Sequence, residues 1–240
     1  MRKNNNKSDA LPKLSLEDEI LKTSETLSLT DLIIRDYEKT NDDTKLRAYA
    51  AIFEQRTSQI SDALKLYERI GDENGIQRAA KRYFVLGFLL SKCEELVKKS
   101  GLELTPDLYN ERGDYQLSKK DFDNALEAYQ KAGNVDGMKK SASKIEESGE
   151  LKKAFEVYLI LGDNESAYRL AKQKFIRTFF VNLGKEMFEK LNTPITKELW
   201  NERGDYQLSI KKDFDNALEA YQKTGNVEKV NLVLQTVAEQ

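Results

Sequence analysis

The strongest constraint on the fold is an internal duplication. Asn110–Ser118 and Asn201–Ser209 both read NERGDYQLS, and Lys119–Lys131 and Lys211–Lys223 both read KKDFDNALEAYQK. One extra residue, Ile210, separates the two blocks in the second copy. The copies begin 91 residues apart, at Asn110 and Asn201. Self-similarity at a fixed period is the signature of a repeat architecture, in which each unit buries its apolar face only against its neighbours.

A shorter period runs inside the long one. Ala, three residues, Tyr, three residues, Gly, then Asp or Asn occurs at Ala63–Tyr67–Gly71–Asp72, Ala125–Tyr129–Gly133–Asn134, Ala154–Tyr158–Gly162–Asp163 and Ala217–Tyr221–Gly225–Asn226. Residues four apart share one helix face, so a small and a large side chain pack side by side. The Gly then supplies a left-handed C-terminal cap, and the Asp or Asn caps the next helix. Worn copies keep the spacing at Ile33–Tyr37–Asn41, Cys93–Val97–Gly101 and Gly184–Phe188–Asn192. A second small residue precedes each of the later six, at Ala51, Ala80, Gly113, Ala142, Ala171 and Gly204.

Each unit therefore reads as two helices. Leading helices are predicted near 44–57, 73–87, 105–118, 135–148, 164–178 and 196–210. Trailing helices are predicted near 60–70, 88–100, 121–132, 150–161, 179–191 and 213–224. An atypical hairpin is predicted over 16–40, after a polar and basic, disordered tail over 1–14. A capping helix is predicted over 226–239, with a polar outer face because nothing stacks on it. The stripe of Phe122, Ala125, Leu126 and Tyr129 falls at i, i+3, i+4 and i+7, as an amphipathic helix requires.

Composition excludes whole classes of chemistry. The chain has no His and one Cys, Cys93, so neither a disulfide framework nor a Cys/His zinc site can form within it. Histidine-based nucleophilic catalysis is equally excluded. No glycine-rich phosphate loop or nucleophile elbow is present. The reading is a protein that is not an enzyme and needs no cofactor or metal. With 39 basic and 41 acidic residues there is no basic excess for phosphate neutralisation, which argues against nucleic acid. The longest apolar run, Tyr83–Leu90, is far too short to span a bilayer, so no membrane partner is expected. Without an export signal the expected compartment is the cytoplasm. Cys93 sits at a small-residue position of the repeat, so packing is its expected role.

These residues resemble the tetratricopeptide-repeat family, whose helix pair has a Trp, Leu-Gly and Tyr pattern followed by Ala, three residues, Phe and a Pro. Trp200, Gly204, Ala217 and Tyr221 match it, as do Tyr109, Gly113, Ala125, Tyr129 and Ala132. Arg112 and Arg203 stand where Leu is usual, Gln116 and Gln207 where Tyr is usual, and the terminal Pro is missing. A related helical-hairpin solenoid, as in coat-protein repeats, is the neighbouring alternative. The resemblance implies an all-α, right-handed α-solenoid of about six to seven hairpins. It further implies a scaffold or adaptor that binds a protein or peptide on a concave face lined by the leading helices.

In that register the lining positions are Asn110, Asp114, Leu117 and Ser118, then Lys139, Ser143, Glu146 and Glu147, then Asn201, Asp205, Leu208 and Ser209. Asp114 and Asp205 would repel a carboxylate, so a basic or polar partner segment is expected. The same acids could instead pair with neighbouring cations at an idle surface. A ribonucleoprotein-associated module using the lysine pairs, and a structural subunit that self-associates through its terminal hairpins, stand as alternatives.

Overall fold

The computed structural model describes residues 28–239. Among them are fourteen α-helices and no strand. The helices are α1 (Leu29–Thr40), α2 (Asp43–Glu54), α3 (Ile60–Arg69), α4 (Glu73–Leu86), α5 (Leu90–Lys99), α6 (Pro106–Ser118) and α7 (Phe122–Ala132). They continue as α8 (Val135–Glu147), α9 (Leu151–Ile160), α10 (Asn164–Arg177), α11 (Val181–Lys190), α12 (Lys197–Tyr206), α13 (Phe214–Thr224) and α14 (Val227–Ala238). The predicted limbs agree with these to within a few residues. The predicted tail and the first part of the 16–40 hairpin lie outside the described residues, and Leu29–Thr40 is a single helix.

The chain divides into two compact units between Ile76 and Gln77, inside α4. In the first, α2 packs on α3 and on α1. In the second, sequence-adjacent helices pack as pairs from α6 to α14, consistent with an all-α solenoid. Short connections force this pattern, since a loop of a few residues returns the chain antiparallel to itself.

The caps follow the sequence logic. Asp42, Thr105, Asp121, Asn134, Asp163, Thr196, Asp213 and Asn226 each accept a bond from the backbone N–H three residues on. Gly133 and Gly225 end α7 and α13 at φ 67° and 72°. Asn192, predicted to replace Gly as a cap, takes the same left-handed conformation at φ 51°.

The predicted seam is the core. Ala63, Ala125, Ala154 and Ala217 are fully buried, as are Tyr67, Tyr129 and Tyr221. Gly113 lies against the Tyr129 ring so closely that a Cβ there would stand 2.6 Å from a ring carbon; Gly204 has the same relation to Tyr221, at 2.5 Å. Trp200 packs edge-on against Phe175 with centroids 4.9 Å apart.

Two expectations are corrected. Ala51 is exposed, and its neighbour Ala50, 0% accessible, takes the small-residue seat in α2. The closing helix α14 does not have a polar outer face, for Val227, Leu232, Leu234 and Val237 are 49–69% exposed. By register with Asn134 and Asn226, Leu234 and Val237 stand where Ala142 and Ile145 stand in α8. There α9 covers them completely. In α14 only Val233 is buried.

Candidate functional site

The acids predicted to face a partner are held by the tyrosines of the seam. Tyr129 donates its phenol to Asp114 at 2.6 Å, and Tyr221 donates to Asp205 at 2.7 Å. The pattern recurs as Tyr67 to Glu54 at 2.9 Å and Tyr158 to Glu146 at 3.3 Å. Every unit with the Ala–Tyr spacing thus ties its trailing helix to its leading helix by one phenol–carboxylate bond. Burial and the acceptor carboxylate raise the pKa of Tyr129 and Tyr221 above the ordinary phenol value.

Most of the other predicted positions are also used internally. Asn110 accepts from Asn134 at 2.8 Å, and Asn201 accepts from Thr224 at 3.1 Å. Both bonds hold the leading helix to the turn that ends its own unit. Glu146 takes a two-pronged contact from Arg169 at 2.5 and 2.8 Å, which holds its carboxyl below the usual range. Asp205 also pairs with Lys229, and Glu147 with Lys144 at 2.7 Å. Ser118 donates to the Tyr115 carbonyl. Leu117 and Leu208 pack beside Tyr129 and Tyr221. Lys139, Ser143 and Ser209 stand exposed.

What sequence reading treated as departures from the resemblance proves to be a second repeated device. Arg112 and Arg203 are 0% and 1% exposed, yet each is charged. Their guanidinium groups donate to main-chain carbonyls where the preceding unit's leading helix ends. Arg112 reaches the Phe84 and Phe88 carbonyls. Arg203 reaches those of Phe175, Thr178 and Phe179, and the Asn216 side chain. One turn on, Gln116 donates to the Gly87 carbonyl at 3.0 Å and Gln207 to that of Ile176 at 2.9 Å. The last carbonyls of a helix lack intrahelical partners, and burial would leave them unsatisfied. The clamp also fixes the loops 87–89 and 178–180. The signal in the sequence was a polar pair four residues apart, Arg112–Gln116 and Arg203–Gln207, on an otherwise packed face.

Four of the predicted residues do come together. Asp114, Leu117, Ser118 and Glu147 line a cleft of about 790 Å³ between the leading helices α6 and α8. Lys120, Phe122, Lys140, Lys144 and Ser148, none of them among the predicted partner-binding positions, complete it. A second cleft of about 420 Å³ lies between α10 and α12, lined by Arg169, Lys172, Arg177, Glu202 and others. In the larger one Asp114 is committed to Tyr129 and Glu147 to Lys144. Lys120 and Lys140 form no ion pair among the described residues, and with Lys144 they outnumber Asp114 and Glu147, so the cleft's net charge is positive.

Cys93 is 1% exposed, with its sulfur against Arg112 and the Tyr83 carbonyl, and burial pushes its thiol pKa up. That is the environment of a packing residue and the opposite of an activated nucleophile. Among the described residues no cluster of three or more Cys, Asp or Glu is placed to hold a metal ion. Compared with protein families, with curated proteins and with solved structures, the chain finds no match.

Proposed function

We propose that this protein is a scaffold or adaptor of the tetratricopeptide type, a right-handed α-solenoid without catalytic chemistry that binds an extended segment of a partner protein along its leading helices. The cleft between α6 and α8 carries the reading. It is open, lined by two successive leading helices, and combines apolar contact from Leu117 and Phe122 with unpaired ammonium groups at Lys120 and Lys140. Because three lysines face two acids in the cleft lining, the charge argument turns from a basic partner to an acidic or polar one. The test is a peptide-display selection on the full chain. An enrichment of acidic segments, lost on joint Lys120→Glu and Lys140→Glu substitution, supports the reading. Enrichment of basic segments removes the charge assignment, and binding indifferent to both lysines removes the cleft.

The bare stripe of α14 favours a second reading, self-association through that helix. Val227, Leu234 and Val237 form an uncharged row, so a second copy laid against it meets no like-charge barrier. A mass that rises with concentration in light scattering, and falls to the monomer in Leu234→Lys, is the expected result. A monomer at every concentration would end this reading.

A further inference from the structure

The Arg–Gln clamp holds two loops whose side chains the fold does not need. In loop 87–89 Phe88 and Leu89 are 70% and 47% exposed; in loop 178–180 Phe179 and Phe180 are 63% and 76% exposed. These positions correspond across the duplication. What the clamp uses there is main chain, the carbonyls of Phe88 and Phe179, and any residue supplies a carbonyl. Flanking positions have diverged between copies, Gly87 against Thr178 and Lys92 against Leu183, while the exposed pair is apolar in both. Phe179 and Phe180 meet each other edge to face, with ring centroids 5.1 Å apart.

Next to each apolar pair stands a lysine pair. Gln116, bonded to the Gly87 carbonyl, lies three residues before Lys119–Lys120; Gln207, bonded to the Thr178 carbonyl at 3.3 Å, lies four before Lys211–Lys212. All four lysines are exposed, and none forms an ion pair among the described residues. Lys120 and Lys212 take left-handed φ of 62° and 56°, which ends each helix abruptly and leaves the pair at the turn. Ile210, 66% exposed, adds an apolar side chain to the second group.

We propose that each copy of the duplicated segment presents one membrane-contacting group: a protruding apolar pair that enters the interface of a bilayer, and an adjoining lysine pair that engages anionic phospholipid headgroups. Two features favour a bilayer over a folded protein or a peptide. The apolar side chains stand exposed on loops and line neither of the two clefts described above, so a rigid partner would need matching pockets, whereas lipid deforms around them. The charge beside them is basic and unpaired, the complement of an anionic leaflet. Aromatic rings with lysines suit the headgroup region, and this mode needs no spanning helix. The proposal shares Lys120 with the cleft between α6 and α8, but every residue changed in its test lies outside that cleft.

The test is co-sedimentation of the full chain with vesicles of phosphatidylcholine, with and without phosphatidylserine. Binding should require phosphatidylserine and weaken with salt. Phe179→Ser with Phe180→Ser should lower it by roughly tenfold or more, because two linked contacts bind far more tightly than either alone. Adding Phe88→Ser and Leu89→Ser should abolish it. Lys211→Glu with Lys212→Glu should do as much harm as the aromatic pair alone. All these side chains are exposed, and unchanged helical circular dichroism confirms intact variants. Equal binding to neutral vesicles, no binding at all, or full binding by the quadruple variant would overturn the proposal. So would saturable binding of a soluble acidic amphipathic peptide, abolished by the same substitutions, without vesicle binding.

Discussion

At the scale of single residues, the fold is held by contacts that tolerate few replacements. The Tyr129 ring lies between two glycines, with a Cβ on Gly137 placed 2.4 Å from a ring carbon and one on Gly113 at 2.6 Å. Its phenol is anchored on Asp114, so the ring cannot swing clear. Gly137→Ala should therefore destabilise by about 2 kcal/mol in urea unfolding, because overpacking of roughly 1–3 kcal/mol exceeds the ~1 kcal/mol of helix propensity regained. Tyr129→Phe keeps the packing and removes one bond, an expected loss of about 1 kcal/mol. Arg203→Leu restores the residue usual in the resembled family and should still cost on the order of 3 kcal/mol. It orphans buried carbonyls at Phe175 and Phe179. Arg203→Lys should rescue little, since an ammonium cannot reproduce the fork.

The same phenols predict a pH dependence. Tyr109, Tyr129 and Tyr221 have raised pKa values in the folded chain. The unfolded chain ionises them near pH 10 while the folded chain keeps their protons, so their contribution is complete below pH 10 and declines above it. Glu146 acts in the opposite range: its pKa is lowered, chiefly by Arg169, so its contribution is present above about pH 4.5 and is lost as pH falls through the folded value. Chemical denaturation at stepped pH, with phenolate absorbance followed in parallel, checks both limbs. Full stability at pH 11 would contradict the tyrosine assignment.

At the scale of elements, the duplication shows how an insertion is absorbed. Ile210 has no counterpart in the first copy, and the end of α12 answers with a π-helical turn over Gln207–Lys211. A single inserted residue commonly appears in this form. The turn preserves what matters on both sides. Asp121 donates its N–H to the Gln116 carbonyl in the first copy, and Asp213 donates to that of Gln207 in the second, at 3.0 and 2.9 Å. Deleting Ile210 should convert the turn to α-helix with a stability change within about 1 kcal/mol, read from thermal unfolding. A collapse of the fold would show that the bulge is required.

The helices and the Ala–Tyr seam were legible in the sequence because spacing and caps are local properties. Ala51 was misassigned because Ala50 and Ala51 are chemically identical, and only α2's rotation separates them. The site was less legible. Asp114 and Asp205 look like free surface acids until Tyr129 and Tyr221 are placed beside them, a relation across two helices that periodicity alone does not specify. Lys140 and Lys120 become cleft residues only when α6 and α8 lie side by side.

At the scale of the whole molecule, the described helices of each unit pack on those adjacent or next but one in sequence, so damage should stay local. Tyr67→Ala removes the bond to Glu54 in the first unit and should speed amide exchange in α2 and α3. Exchange in α12 and α13 should be unchanged. Uniform acceleration along the chain would instead indicate a single cooperative core. The clamp carries a consequence for how such a chain can lengthen. Each guanidinium finds its first acceptor 28 residues upstream, Phe84 for Arg112 and Phe175 for Arg203. A third copy spliced in with both ends of that span would fold with its charge satisfied. One joined between them would bury a cation facing the wrong backbone, so growth by copying is confined to particular seams.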